Sequence, residues 1–245
     1  MADALLTVQG LGKRFGGFIA LDGIDLEVRA GERVGLIGPN GSGKSTLVNC
    51  LSGILQNEDG SVRFDGTALD GLPAHRRTHL GLARSFQLPK PFGSLTVAEN
   101  LRIPLLYTVD GRNGVHLTES DIGQRCEALL GMVALDGKAR VRPRDLTQIE
   151  MRKLELARAV AAAPKLLIAD EAMAGLSHSE VDDIIALLLK LNEAGIAVIL
   201  IEHIMRAVMS FSERLVVLVA GRKIADGAPQ EVVNNPEVVR AYLGE

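Results

Sequence analysis

Cysteine is scarce in this 245-residue chain, charge of neither sign is in excess, and no apolar run is long. Each shortage excludes something. Cys50 and Cys126 have no metal-ligand neighbours at close spacing, so they read as reduced structural thiols rather than as a disulfide or a zinc site. The longest apolar stretches cover residues 184–189, 196–201 and 215–220, whereas a membrane-spanning helix needs about 20 residues. The subunit is not expected to cross a membrane by itself. Its start, Met1-Ala2-Asp3-Ala4, has neither the basic opening nor the apolar core of a secretory signal, which predicts a cytoplasmic protein. With 27 Lys plus Arg against 30 Asp plus Glu, the net charge is -3. No basic field is available to hold a polyphosphate backbone, so nucleic acid is not an expected partner. A hydrophobic content of 47% and a charged content of 23% suit one large globular unit or two modest ones, and no repeat or low-complexity tract interrupts them.

What is present is a complete phosphate-binding loop. Gly38-Pro39-Asn40-Gly41-Ser42-Gly43-Lys44-Ser45-Thr46 follows the apolar run Arg33-Val34-Gly35-Leu36-Ile37 directly. A glycine-rich turn between a buried strand and a helix lets successive backbone N–H groups approach phosphates. Lys44 adds a point charge, and the Ser45 hydroxyl can reach Mg²⁺. A surface turn would need one or two glycines and no Lys-Ser pair at fixed spacing. The expected ligand is a nucleoside triphosphate.

Residues 5–9, 25–29 and 33–37 read as short strands punctuated by glycines, a pattern that antiparallel strands joined by tight turns would produce. Leu47, Val48, Leu51, Ile54 and Leu55 lie on one face of a helix over 44–55, and residues 62–64 before Asp65-Gly66 look like a strand and turn. From about Phe92 to Val160 the periodicity is helical, with 97–106, 122–132 and 150–163 as the clearest helices. A separate helical lobe accounts for this. Between the first two, 108–118 is rich in Gly, Asn and Asp and reads as a solvent loop or a partner contact. Beyond Pro164, apolar strands over 166–169, 196–201 and 215–219 alternate with helices over 180–194 and 204–211. That alternation indicates a mainly parallel sheet covered on both faces.

Two of these strands end in chemically useful groups. Leu166-Leu167-Ile168-Ala169 runs into Asp170-Glu171, at the edge where a parallel sheet presents ligands. Asp170 is placed to hold Mg²⁺ through water, and Glu171 to accept a hydrogen bond from an attacking water and aim it at the γ-phosphorus. Val198-Ile199-Leu200-Ile201 runs into Glu202-His203, and a lone histidine there is structural as readily as catalytic.

Taken together, these residues resemble the ATP-binding subunits of ABC transporters over essentially the whole chain. The resemblance implies an α/β P-loop NTPase (RecA-like) core with a mainly parallel sheet, an N-terminal antiparallel β subdomain and an inserted α-helical subdomain. It would divide the single 1–245 domain into a nucleotide-binding core, 1–87 with 161–245, and a helical insertion, 88–160. It assigns Phe15, otherwise read as a core residue, to stacking on adenine. Gln87 becomes the residue that touches Mg²⁺ and relays to the membrane subunits, and His203 the residue that contacts the γ-phosphate. ATP and Mg²⁺ are the implied cofactors. A second ATPase subunit, identical or different, and membrane-embedded permeases are the implied partners, with a substrate-binding protein reached indirectly. The location implied is peripheral, on the inner face of the membrane. Residues 92–101 and the ending 234–245 are most similar to the ATPases of bacterial branched-chain amino acid importers, which implies import of branched-chain or other hydrophobic amino acids. A regulatory nucleotide-binding subunit with weak hydrolysis, and a soluble ABC ATPase not coupled to transport, are the rival readings. The second would normally carry two fused nucleotide domains or long insertions.

The chain departs from the family pattern in one conspicuous place. Where the family has Leu-Ser-Gly-Gly-Gln facing the partner subunit's ATP, this sequence has Leu146-Thr147-Gln148-Ile149-Glu150. Thr147 keeps the hydroxyl, but Gln148 and Ile149 bring side chains where glycines would let backbone approach phosphate. If Glu150 faced that phosphate, the repulsion at ~6 Å would be about 3 kcal/mol per unit charge at a dielectric of about 20. The same four residues also fit a capping box, in which Glu150 folds back onto the helix start. Ala172 replaces the usual proline after the paired carboxylates, and Ser177 stands where the family often has Asp.

Overall fold

The structure is a computed structural model that describes residues 4–86 and 88–243. Strand β1 (Ala4–Phe15) turns back into β2 (Phe18–Arg29), and the two pair antiparallel along their length. Alternation decides which face each side chain takes: Leu6 and Val8, with Leu26 and Val28 opposite, are buried while their neighbours face outward. After β3 (Arg33–Ile37) and helix α1 (Lys44–Ser52), strands β4 (Asp59–Phe64) and β5 (Thr67–Ala68) complete a sheet in the order β2-β1-β4-β5.

Strand β3 does not belong to that antiparallel group, as its position among the opening strands led one to expect. It lies inside a second sheet, with helix α2 (Ala74–Leu80) leading to β6 (Leu82–Ser85) at one edge. The later chain supplies α3 (Val97–Pro104), α4 (Glu119–Met132), α5 (Gln148–Ala161), β7 (Leu166–Asp170), α6 (His178–Glu193) and β8 (Ala197–Ile201). It closes with α7 (Met205–Phe211), β9 (Arg214–Val219), β10 (Arg222–Gly227), α8 (Pro229–Val233) and α9 (Pro236–Leu243). The second sheet has the order β10-β9-β3-β8-β7-β6 and is parallel except for β10. An apolar run carries no record of its partner, and β3 is apolar on both faces because layers cover it on both sides. Among the described residues no helix is long and apolar enough to cross a membrane.

Several predicted helices stop early for local reasons. Helix α1 ends at Ser52 rather than Leu55 because Gly53 takes a left-handed φ of 78° and donates to the carbonyls of Asn49 and Cys50. Helix α3 ends at Pro104, and the chain then widens into a π-helical turn over Leu105–Val109. The segment read as a solvent loop therefore starts inside this turn. It is also anchored, since the Arg112 guanidinium donates to the carbonyls of Ala163 and Thr78 at 2.9 Å each. Helices α3, α4 and α5 open with reciprocal Thr–Glu or Thr–Asp capping boxes.

Two large apolar cores and a smaller one, built on Ile37, Val208, Leu215 and Val217, meet the parallel sheet. One face packs on α1 and the antiparallel sheet through Leu47, Leu51, Phe64 and Ile168, the other on α5 and α6 through Leu154, Leu167, Ile184 and Leu188. Behind α1 sits Arg77, almost fully buried. Its guanidinium donates to the carbonyls of Cys50 (2.6 Å), Leu51 (2.9 Å) and Leu72 (2.9 Å), so a cation closes the C-terminal end of the helix that begins at the phosphate loop. Replacing Arg77 with Ala would leave these buried carbonyls unpaired, at about 1–3 kcal/mol for each group stranded. A loss of about 3 kcal/mol in unfolding free energy is expected for Arg77→Ala in denaturant titration.

Candidate functional site

The β3–α1 turn wraps around its own lysine. Lys44 is 7% exposed and its ammonium donates to the carbonyls of Gly38 at 2.7 Å and Pro39 at 3.1 Å. Burial pushes its pKa below the ordinary value, and the nearby carboxylates of Glu171 and Asp170 oppose that shift. The glycines are needed for different reasons. A Cβ at Gly38 would lie 2.1 Å from the Leu218 carbonyl oxygen, and one at Gly43 would lie 2.7 Å from that of Ala20. Among the described residues the buried Ser42 hydroxyl has no hydrogen-bond partner, a polar atom left over within the phosphate loop.

Across the cleft stands the end of β7. Glu171 holds a left-handed φ of 47°, uncommon for a residue with a side chain, and its N–H is fixed to the Ile201 carbonyl at 2.9 Å. That conformation costs about 1–3 kcal/mol and turns the carboxylate toward the cleft. His203, just beyond β8, puts Nε2 2.9 Å from Glu171 Oε1. The cleft is lined by Phe18, Ala20, residues 40–46, Glu171 and His203. Lys44, Ser45, Thr46, Glu171 and His203, read separately from the sequence, thus share one surface.

The remaining residues lie elsewhere. Asp170 is buried beside the cleft and accepts from Arg84 Nη2 at 2.6 Å, while Arg84 Nη1 donates to Asn49 at 2.7 Å. Phe15 is half-exposed at the tip of the β1–β2 hairpin, cross-strand from Phe18, with the Lys13 ammonium 5.5 Å from its ring centre. It is Phe18 rather than Phe15 that lines the cleft. Gln87 lies outside the described residues.

Thr147, Gln148, Ile149 and Glu150 lie apart from this cleft, at the start of α5. The Thr147 N–H donates to Glu150 Oε2 at 2.8 Å, the Glu150 N–H to Thr147 Oγ1 at 3.4 Å, and Lys138 pairs with Glu150 Oε1 at 3.2 Å. These are the reciprocal bonds of the capping alternative. The carboxylate is folded back because the box satisfies helix-start donors, and the Thr147 N–H lowers its pKa more than any other contact. Gln148 in turn donates to the Ala174 carbonyl at 3.3 Å.

Sequence reasoning missed Arg84, Phe18 and Glu202. Arg84 sits on β6, a strand too short and too mixed to read from alternation. Phe18 gave no signal apart from its place after Gly16-Gly17.

The donor set fits a nucleotide with a hard cation. Lys44 and the Ser42 hydroxyl point at the phosphate loop, and the Ser45 hydroxyl and Asp170 carboxylate supply oxygen ligands of the kind Mg²⁺ prefers. Among the described residues no group of three or more His, Cys, Asp or Glu could hold a metal by itself, so an ion here would depend on the substrate's own oxygens.

Comparison with known proteins gives one answer along the chain. The ABC transporter family matches residues 21–174, and the branched-chain amino acid ATP-binding cassette transporter family matches residues 222–245. The chain is 38% identical to the high-affinity branched-chain amino acid transport ATP-binding protein BraF of Pseudomonas aeruginosa, over 100% of both chains. It is 36% identical to LivG of Escherichia coli K12, again over 100% of both. Among solved structures, the ADP conformation of MJ1267, an ATP-binding cassette of an ABC transporter, superposes with a TM-score of 0.87 at 31% identity, covering 99% of this chain and 100% of that one. A dimeric post-hydrolysis state of the cassette MJ0796 bound to ADP and Pi gives 0.81 at 26% identity, covering 91% and 98%.

The geometry of Glu150 has a direct consequence. Glu150→Gln, which keeps the capping acceptor and loses only the charge toward the helix start and Lys138, is expected to leave ATP turnover within about twofold of the parent and to lower stability by no more than about 1 kcal/mol. A several-fold rise in turnover would mean that the carboxylate faces nucleotide after all.

Proposed function

We propose, on the premise that this chain belongs to the ABC transporter family of ATP-binding subunits, that its cleft hydrolyses MgATP to drive the import of branched-chain or other hydrophobic amino acids. The observation that carries the reading is the opposition of Lys44 to the Glu171–His203 pair across one cleft. The cargo rests on the names of BraF and LivG and on the match over residues 222–245.

Each residue has a role that follows from its surroundings. The loop 38–46 wraps the phosphates with backbone N–H groups, and Lys44, already stripped of water, exchanges carbonyl contacts for phosphate oxygens. Phe15, at the hairpin tip, is assigned to the adenine by resemblance alone, and Phe18 gives the cleft its aromatic wall. Mg²⁺ supplies charge neutralisation on the phosphate oxygens. Ser45 and Asp170 are the ligands available for it, with Gln87 the third residue assigned. Glu171 orients the attacking water and accepts its proton, and His203 holds Glu171 in register before turning a ring nitrogen to the γ-phosphate.

The dimer follows from separation. Thr147 to Glu150 lie outside the chain's own cleft, so they are available to a second ATPase subunit's nucleotide, and that subunit's signature completes this cleft. Affinity that differs between open and closed dimers then biases the motion. Permease docking is supported by a groove between α5 and the β6 edge, lined by Ile54, Ala74, Leu82, Phe86, Pro104 and Ala159. Leu88 and Phe92 stand exposed nearby, an apolar patch of the kind that marks a partner surface. A permease there would hold the subunit on the inner face of the membrane, with a substrate-binding protein engaged only through that permease.

Lys44→Ala is expected to abolish MgATP binding in equilibrium titration. Glu171→Gln should keep binding and lose at least about 100-fold in turnover, the size of a lost general base. Turnover that survives either change would remove the reading.

A further inference from the structure

Three consecutive residues leaving β8 grip the segment that leaves β7. The Ile201 carbonyl accepts from the Glu171 N–H at 2.9 Å, Glu202 Oε1 accepts from the Met173 N–H at 2.8 Å, and His203 Nε2 lies 2.9 Å from Glu171 Oε1. The middle contact is the odd one. Glu202 is 3% exposed, in a place where burial alone would favour an apolar side chain, and Met173 beneath it is fully buried. Glu202 does not line the nucleotide cleft, and among the described residues no salt bridge to Lys or Arg accounts for its carboxylate.

Its bond reaches the backbone two residues beyond Glu171. Glu171 sits at a strained φ, so the direction of its carboxylate depends on what fixes the chain on either side. Ile201 fixes the near side through Glu171's own N–H, and Glu202 fixes the far side. We propose that Glu202 is a positioning residue for Glu171, tethering the Met173 N–H so that the Glu171 carboxylate keeps its aim independently of the His203 contact. The proposal rests on Glu171 being the base. A misplacement of about 1 Å in such a group can cost on the order of 100-fold in rate.

The charge of Glu202 is adjustable. Burial pushes its pKa up from the ordinary 4.5 to about 7; the Met173 and His203 N–H groups and the His203 ring oppose this, and the Glu171 charge adds to it. Glu171 and His203 are the titratable groups facing it. Between pH 4.5 and about 7 the native chain holds a proton that the unfolded chain has lost. This contribution therefore favours the fold below the lower value and is lost as pH rises to the upper one. A neutral amide at 202 keeps the acceptor and removes that dependence.

The test compares Glu202→Gln, which preserves the acceptor at full length, with Glu202→Asp, which withdraws it, in the full chain. For Glu202→Asp, kcat is expected to fall at least about tenfold with the MgADP dissociation constant unchanged, and for Glu202→Gln kcat should stay within about threefold. The melting temperature of Glu202→Gln relative to the parent should be higher at pH 8 than at pH 5. Parental kcat in Glu202→Asp, equal losses in both variants, or a loss of MgADP affinity matching that of kcat would each overturn the tether. So would fast hydrogen exchange at the Met173 amide of the unsubstituted chain, which needs no variant. Glu171→Gln, measured alongside, separates the two ideas. If it turns over normally the base assignment fails; if it is inactive while Glu202→Asp is unaffected, only the tether fails.

Discussion

The shared register of β3, β7 and β8 is the constraint on which the rest of this molecule depends. Leu36 lies opposite Ile201, and Ile201 lies opposite Asp170, so the three strands end together at one edge of the sheet. Gly38, Glu171 and Glu202 therefore emerge side by side, although they are far apart in sequence. Each strand is buried on both faces, and a slip of one residue would exchange the side chains packed on the α1 side for those packed on the other, against α5 and α6 for β7 and β8 and against α7 for β3. The core thus sets the position of groups that contribute almost nothing to it.

That edge is electrostatically costly, and its neighbours offset the cost in different ways. Lys44 gives up hydration but keeps two carbonyls and the field of two carboxylates. Asp170 is held by Arg84, which also reaches Asn49 on α1, so one guanidinium joins β6, β7 and the helix of the phosphate loop. Arg77 does the same service at the far end of α1 using carbonyls alone. Two guanidinium groups on the last turns of one short helix explain why α1 can hold its place behind a glycine-rich loop that has little packing of its own.

The parts legible in the sequence were those whose chemistry is local. The phosphate loop is set by backbone geometry, so Gly38, Gly43 and Lys44 can be read from spacing alone. The α/β alternation after Pro164 was equally legible, because strands buried on both faces differ from helices in length and composition. Non-local information was missing. The run at 33–37 says that it is buried but not that its neighbours are β8 and β9, which begin only at Ala197 and Arg214. Strand β6 has a single arginine pointing at Asp170, and only the fold brings the two together. Phe15 and Phe18 differ by three residues across a hairpin, and the choice of which faces the cleft depends on a twist that alternation does not encode. The capping box at Thr147 was visible, but so was a plausible repulsion, and it takes the folded-back Glu150, held by the Thr147 N–H and the Lys138 ammonium, to favour the box.

The altered signature is better understood through its contacts than through its missing glycines. Gln148 and Arg152, at the start of α5, both donate to the Ala174 carbonyl, at 3.3 and 3.2 Å. Ala174 is three residues beyond Glu171, and the next residue, Gly175, leaves the room: a Cβ there would stand 2.6 Å from Gln148 Nε2. A glycine at 148 could make no such side-chain bond. The side chain that departs from the family pattern is therefore one of two that tie the start of α5 to the segment beyond Glu171. Loss of backbone access at 148 and gain of this tie are two results of the same Cβ, and the start of α5 is joined by hydrogen bonds to the segment that leaves β7 beside Glu171.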